Sequence, residues 1–374
     1  MPRNGSFKGP LRTTSTTSAS GIWSLSDIQV AEAAVAWPGL SGSATSSGAQ
    51  SRSKGPQRAS NTTSASGIWF LDEHQRAGGS NNWPGRTAAA VSRIFSISPT
   101  VGGKSTWNLE TDGPLNLGSG GTWVIVPTSN FTANTKIWGG GGGGCNGVGT
   151  GSGAAIGVIN FLQNNSYDLI VGTGGQGYPG GRGASAGGAG SGIQFTSNTL
   201  SILVAGGGGG SAAGPGSGRF GGCGGGSAGV NAETPGAGGY AGTQSAAGAG
   251  GNGGRRTGSS GSGRNGGGGN TGSPAAAGGV GFGNGGIGTF NGGDQGSGGG
   301  GGGYFGGGEG GGDAGGYGGG GGSGFFNNTF VTNATLYQGS GRLPGNSGDS
   351  VNGGSGYGGS GSNVSGDTGR IYIS

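Results

Sequence analysis

Charged and chemically reactive side chains are scarce in this sequence. Only 8% of the 374 residues are charged, and there are one histidine, one methionine and two cysteines. The acidic residues among the glycines stand singly, so they do not predict the paired carboxylates of a glycosidase. His74 occupies a position that is Ile28 in the other copy of a repeated segment, which is typical of a surface side chain. We therefore expect no enzyme activity, no cofactor and no metal site.

Long apolar runs are also missing. No stretch approaches the roughly 18 apolar residues that a membrane span requires. The opening Met1 to Asn4 is not followed by the apolar core of a signal peptide. We expect a chain that is assembled in the cytoplasm without insertion into a membrane, so the sequon at Asn130 carries little weight.

Proline is too rare, at 13 residues, and glycine too irregularly spaced for a collagen helix. Glycine itself supplies 112 residues, and 95 of them fall within residues 138–374. Ordinary domains contain about 7% glycine, so side chains cannot fill the interior of this segment. Either the segment is disordered, or its order comes from backbone packed against backbone. Disorder usually combines low hydrophobicity with many charges, and the charges are lacking.

The ordered option is a bundle of polyglycine II helices, which have three residues per turn and no internal hydrogen bonds. Their amides and carbonyls point outward and must pair with neighbouring strands. Ordering a backbone residue costs about 1–2 kcal/mol, whereas a backbone hydrogen bond returns a net of about 0.5–1.5 kcal/mol. A single strand is therefore unstable, and a bundle needs a hydrophobic frame.

Short apolar runs supply such a frame. They are rich in β-branched and aromatic residues and lack a helical period, which predicts strands: Trp123–Val126, Ile137–Trp138, Ile156–Leu162, Tyr167–Val171, Ile193–Phe195, Leu200–Val204, Phe325–Tyr337 and Ile371–Ile373. Over residues 121–374 we predict a mainly β fold, an antiparallel β-sandwich with an inserted polyglycine II helix bundle. Residues 93–120 are predicted to be a linker with connecting strands.

The N-terminal part contains a gapless tandem repeat with an offset of 46 residues. The sequence Ser-Ala-Ser-Gly-Ile-Trp begins at Ser18 and again at Ser64. We predict two small tandem repeat modules, 1–46 and 47–92, each with a short helix that ends at Trp-Pro-Gly. The tryptophans are predicted to serve virion attachment or oligomerisation: Trp23, Trp37, Trp69 and Trp83. Two independent mini-folds on flexible linkers are the alternative.

The net charge of +5 lies entirely in residues 1–137, which carry 11 Lys/Arg and 6 Asp/Glu. Such a bias suits docking on an acidic protein surface, or it simply keeps the protein soluble. Nucleic-acid binding is not expected, because the arginines among the glycines are too few for an RGG-type tail. Matches to Gly-x-Gly-x-x-Gly carry no weight, since this glycine content produces them by chance and none opens a helix.

The two cysteines, Cys145 and Cys223, both lie inside glycine tracts. Two alternatives stay open for them. They are small thiols tucked into a tightly packed lattice, or they form a disulfide that staples two glycine loops in a protein that functions outside cells.

The order of motifs over residues 121–374 resembles a known family. Its elements are a strand ending in Pro127, Ile137-Trp138 running into polyglycine, Tyr167 to Gly175, Gly183 to Ser185 ahead of Ile193, Ile202 to Gly210, and a last strand in Gly366 to Ile373. This order resembles the glycine-rich domain at the ends of bacteriophage tail fibres and of related virion surface proteins. It is also similar in kind to the extracellular glycine-rich domain of anaplastic lymphoma kinase. The N-terminal repeats look like short modules in structural proteins of phages.

The resemblance implies a non-catalytic virion protein, a tail-fibre or tail-tip adhesin that recognises a glycan or an outer-membrane protein of the host. Its other partners would be tail or baseplate proteins and further copies of the chain, with a trimer as one option. The aromatic residues that interrupt the glycine runs are the candidate receptor contacts: Phe220, Tyr240, Tyr304, Phe305 and Tyr317. As an alternative they cap the bundle or its junction with the sandwich. The alternative function is purely structural, either a capsid decoration or a subunit of a self-assembling fibre.

Overall fold

The computed structural model describes residues 92–374, except for residues 146–147, 179–182, 213–219, 235, 269–275, 290–295 and 313–315. The predicted modules 1–46 and 47–92, apart from Ser92, therefore lie outside the described residues, as do Trp23, Trp37, Trp69 and Trp83. The described part is all-β, with two antiparallel sheets and no helix. This confirms the mainly β prediction.

Twelve strands make up the two sheets of the described part. They are β1 Ile94–Val101, β2 Lys104–Asn108, β3 Leu115–Leu117, β4 Gly121–Pro127, β5 Phe131–Trp138, β6 Ala154–Phe161, β7 Tyr167–Val171, β8 Ser191–Phe195, β9 Ser201–Ala205, β10 Phe325–Phe326, β11 Val331–Tyr337 and β12 Arg370–Ile373. The first sheet has the order β10-β9-β8-β7-β4-β1-β2, and the second has the order β11-β6-β5-β12-β3. Each predicted apolar run contains or overlaps one or two of these strands.

Residues 93–120 contribute β1, β2 and β3 to the two sheets rather than only connecting them. β1 pairs with both β2 and β4, and β3 pairs with β12. Pro99 obscures β1 in the sequence, because proline interrupts a strand ladder. It falls between Ser96 and Val101, where the pairing of β1 with β2 is irregular.

One hydrophobic core joins the two sheets. Side chains alternate between the core and the outside along β5, as expected for a strand with one buried face. A row of aromatic rings crosses the core, and Phe161, Tyr167 and Phe195 follow one another at centroid distances of 5.1 and 5.0 Å. Every residue of β8 and β9 is buried, because the glycine-rich segment covers the outer face of these strands.

Strands of both sheets run directly into glycine tracts. β5 continues as Gly139–Gly144, and β9 continues as Gly206–Gly210. The amides of these tracts bond to carbonyls of distant segments, and amides three residues apart choose the same segment. Gly139 and Gly142, for example, donate to Gly153 and Thr150. The hydrogen bonding of the tract therefore repeats every three residues.

Residues 317–322 show this pattern most completely. Amides three apart donate to one neighbouring segment, and carbonyls three apart accept from another. Gly319 and Gly322 thus donate to residues 210 and 207. Six segments surround the tract: residues 207–210, 222–225, 229–230, 239–242, 298–301 and 308–311.

Glycine is required at these positions because carbonyl groups occupy the space of a side chain. A Cβ added to Gly320 would lie 2.2 Å from the carbonyl oxygen of Tyr240, and one added to Gly319 would lie 2.2 Å from that of Gly299. Real side chains do not approach so closely, so an alanine would push two tracts apart.

The two cysteines are not joined in a disulfide, and both are buried. The Cys145 thiol donates to the carbonyl of Gly183 at 3.2 Å, and the Cys223 thiol donates to that of Gly341 at 3.4 Å. Burial raises the pKa of the Cys223 thiol to about 11. The structure therefore adopts the first alternative, in which both cysteines are small thiols packed among the glycine tracts.

We expect both thiols to resist alkylation by iodoacetamide at pH 8 in the native protein. Access is blocked for both, and a pKa near 11 leaves roughly one Cys223 in a thousand as the reactive thiolate. Mass spectrometry should show no added label in the native protein and two labels after denaturation without a reductant. Rapid native labelling, or a need for reductant, would contradict this arrangement.

We expect Gly320→Ala to destabilise the protein by at least about 1–3 kcal/mol, because overpacking forces the backbone to shift. Gly348→Ala is the matched control, since nothing lies within 4 Å of its added Cβ. The control should be neutral or stabilising by up to about 1 kcal/mol. Denaturant unfolding of both variants measures the difference, and equal midpoints would refute the close packing of residues 317–322.

Candidate functional site at the tip of the glycine tracts

The glycine tracts have one end beside the sheets and one end away from them. Gly206–Gly210 leads away from β9, whereas residues 317–322 lead back to β10. The two run antiparallel, because Gly319 and Gly322 donate to Gly210 and Gly207. We call the end beside the strands the sheet end and the opposite end the tip. Residue 317 is therefore at the tip.

Three of the five predicted contact residues come together near the tip. The carbonyl of Gly318 accepts from the amide of Gly239 at 2.9 Å, and a Cβ on Gly318 would lie 2.4 Å from the carbonyl oxygen of Phe220. The segments of Phe220 and Tyr240 are thus direct neighbours of the tract that begins at Tyr317. Phe220 and Tyr240 are 42% and 40% exposed, and Tyr317 is partly buried.

The register of the hydrogen bonds fixes the position of each of these three aromatic residues along the tracts. Gly239 and Gly242 donate to residues 318 and 321, so this segment runs parallel to residues 317–322. Gly222 and Gly225 donate to residues 319 and 322 in the same direction. The α-carbons of Phe220, Tyr240 and Tyr317 consequently lie within about three residues of one another along the direction of the tracts.

Tyr304 and Phe305 occupy the other end. Tyr304 stacks on Phe325 of β10 with a centroid distance of 3.9 Å and an interplanar angle of 9°, and it meets Phe305 edge-on at 5.1 Å. Both are partly buried. The structure therefore separates them from the other three predicted residues and places them where the glycine tracts join the first sheet.

A buried ion pair that was not predicted from the sequence lies near the tip. Glu309 is fully buried and accepts from Arg256 at 2.7 Å, from the amide of Ser259 at 2.9 Å and from the hydroxyl of Thr289. Arg256 also donates to Thr289. Glu309 interrupts a glycine run, and a carboxylate within such a closely packed segment needs partners. That isolated charge was the available signal.

A second arginine ties the glycine segment to the first sheet. Arg264 donates to the side chain of Gln194 in β8 at 2.8 Å and to that of Ser201 in β9 at 3.1 Å. The ring of Phe282 lies 4.3 Å from its guanidinium carbon, a cation–π contact. Arg256 and Arg264, two of the arginines among the glycines, therefore make internal contacts.

The described residues offer little for other kinds of site. They include no group of three or more histidine, cysteine, aspartate or glutamate side chains that could hold a metal ion. They also contain no apolar helix of membrane-spanning length. An open surface cavity of about 470 Å³ is lined by Arg93, Asn130, Phe131, Thr132 and Asn160. It lies on the sheets, at the edge opposite to the glycine tracts.

We expect Glu309→Ala to destabilise the protein by about 3–5 kcal/mol, because it leaves the Arg256 guanidinium without its buried partner. Glu110→Ala is the matched control. It breaks an exposed pair with Arg93, which has a similar distance of 2.6 Å, and should cost at most about 1 kcal/mol. Thermal and denaturant unfolding measure both, and equal losses would show that Glu309 does not hold the tip together.

The functional proposal rests on this geometry. No protein-family model matches the sequence, and no curated protein matches it.

Proposed function

We propose that this protein is a non-catalytic virion component of a bacteriophage, a tail-fibre or tail-tip adhesin that binds the host surface. In this proposal the glycine segment is a polyglycine II helix bundle, framed by a β-sandwich. The observation that carries it is the group of Phe220, Tyr240 and Tyr317 on adjacent tracts at the tip.

The hydrogen bonding supports the polyglycine II assignment. A three-residue repeat with all bonds made to other segments is the pattern of that helix, and residues 317–322 have six neighbours. The shared core of the two sheets supports the sandwich. Such a frame supplies the apolar burial that glycine tracts cannot contribute.

The packed backbone that holds Phe220, Tyr240 and Tyr317 at the tip supports a binding role. Rigid tyrosine and phenylalanine rings give large contact area at a low entropic cost, and a packed backbone lowers that cost further. Polar sugars with apolar faces, or a protein loop of the host envelope, are suitable ligands for such rings. Tyr304 and Phe305 are assigned to the junction with the sheets, because Phe325 covers one face of Tyr304.

The first described strand begins far from the tip. Ser92 and β1 begin at the edge of the sheets remote from the glycine tracts, because Phe95 pairs with Pro127 at that edge. The tip is left for recognition. In the proposal, residues 1–92, including the four tryptophans, bind tail or baseplate proteins or further copies of the chain.

We expect the double substitution Phe220→Ser and Tyr240→Ser to weaken binding of the purified full-length protein to susceptible host envelopes. Loss of two aromatic anchors should cost at least about 2 kcal/mol, roughly thirtyfold in affinity. Tyr337→Ser is the matched control, because Tyr337 is similarly exposed, at 37%, but lies on β11 in the second sheet.

The control variant should bind as the unsubstituted protein does, and all three proteins should unfold at similar temperatures. Undiminished binding of the folded double variant would remove the tip from recognition. If the unsubstituted protein binds no envelope and forms long filaments in negative-stain micrographs, it is instead a structural fibre subunit.

A further inference from the structure

A lysine of the second sheet and an asparagine of the loop between β11 and β12 meet at a single carboxylate oxygen. Lys136 of β5 donates to Oδ2 of Asp349 at 2.7 Å, and the side-chain amide of Asn346 donates to the same atom at 3.0 Å. The amine of Lys136 and the amide of Asn346 are therefore held beside each other by one acceptor. This arrangement is independent of the tip and of any receptor.

The surroundings fix these groups and limit their contact with water. Ile156 and Tyr372 are the cross-strand neighbours of Lys136, so apolar side chains flank it on both sides. The Asp349 side chain is only 11% exposed, and that of Lys136 is 28% exposed. The indole of buried Trp138 donates to the carbonyl of Gly345 at 3.0 Å, immediately before Asn346.

Contacts on the C-terminal side of Asp349 also anchor the loop between β11 and β12. Arg370 of β12 donates to the carbonyl of Val351 at 2.8 Å, and the amide of Val351 donates to the second carboxylate oxygen of Asp349 at 3.1 Å. The Asp349 carboxylate therefore cannot swing away without breaking several contacts. Such fixed proximity replaces a bimolecular encounter by an intramolecular one and lowers the entropic part of a barrier.

We propose that Lys136 and Asn346 form an intramolecular isopeptide bond, with Asp349 as the proton-transfer group. Asp349 takes a proton from the Lys136 ammonium, and the free amine attacks Cγ of Asn346 to give a tetrahedral intermediate. Asp349 then gives this proton to the amide nitrogen of Asn346, the C–N bond to that nitrogen breaks, and the leaving ammonia takes the second proton of the attacking nitrogen and departs as ammonium. One C–N bond forms and one breaks, so no oxidant or cofactor is needed.

The bond would join β5 to the loop between β11 and β12, across 210 positions of the chain. Its expected product is a full-length protein lighter by the mass of one ammonia molecule. After proteolysis, the peptide containing Lys136 should be linked to the peptide containing Asn346, and trypsin should no longer cleave after Lys136.

Intact and tandem mass spectrometry of the purified full-length protein test the proposal. Lys136→Arg keeps the ion pair with Asp349 but supplies no reactive amine, and Asp349→Ala removes the proton-transfer group while keeping both reacting partners. Both variants should have the full unlinked mass. Succinimide formation at an Asn-Gly pair also releases ammonia, but it links no peptides and does not depend on Lys136.

An unsubstituted protein with full mass and no linked peptide overturns the proposal. A loss of water with Lys136 linked to Asp349 would also overturn it, because the acyl group would then come from the aspartate. A Lys136–Asn346 bond that persists in Asp349→Ala would refute the assigned proton transfer.

Discussion

The absence of a Cβ where two backbone segments of the chain meet is the constraint on which this structure depends. In residues 317–322 the carbonyls of neighbouring tracts occupy the space where side chains would begin, as the 2.2 Å approach at Gly320 illustrates. This closeness lets amides and carbonyls pair in several directions. Each bond contributes little on its own, so stability comes from the number of bonds and from the apolar core of the sheets. The fully buried strands β8 and β9 show how closely the two parts are joined.

Side chains enter the glycine lattice mainly where they satisfy backbone or charged groups. The Thr150 hydroxyl lies within hydrogen-bonding distance of the carbonyls of Gly209 and Gly222, at 2.7 and 3.0 Å. The Ser185 hydroxyl bridges Gly143 and Ser211 in a similar way. Glu309 is the most demanding case, since its buried charge requires Arg256 and Thr289. Small hydroxyls and the Glu309–Arg256 ion pair thus connect tracts whose glycines have no side chains to hold them.

The sequence predicted the strands well where β-branched and aromatic residues were flanked by glycine, as at Tyr167–Val171, which coincides with β7. It did not place β1 and β2 in a sheet, because Pro99 and the polar run Lys104-Ser-Thr interrupt the apolar pattern. Which tracts neighbour each other could not be predicted, since identical glycines carry no information about their partners. For the same reason, nothing in the sequence distinguished Tyr304 at the sheet end from Tyr317 at the tip. Their positions follow from chain direction, which only the hydrogen-bond register reveals.

The uninterrupted passage of β5 into Gly139–Gly144 and of β9 into Gly206–Gly210 has a mechanical consequence. Tension applied to the far ends of these tracts would travel along the covalent backbone into a strand that is paired on both sides in each sheet. The strands would be pulled along their own axes, so the ladder bonds on both sides would resist together in shear instead of opening one at a time. Rupture under such a pull requires many bonds to fail at once, so these two junctions would resist force applied along the tracts.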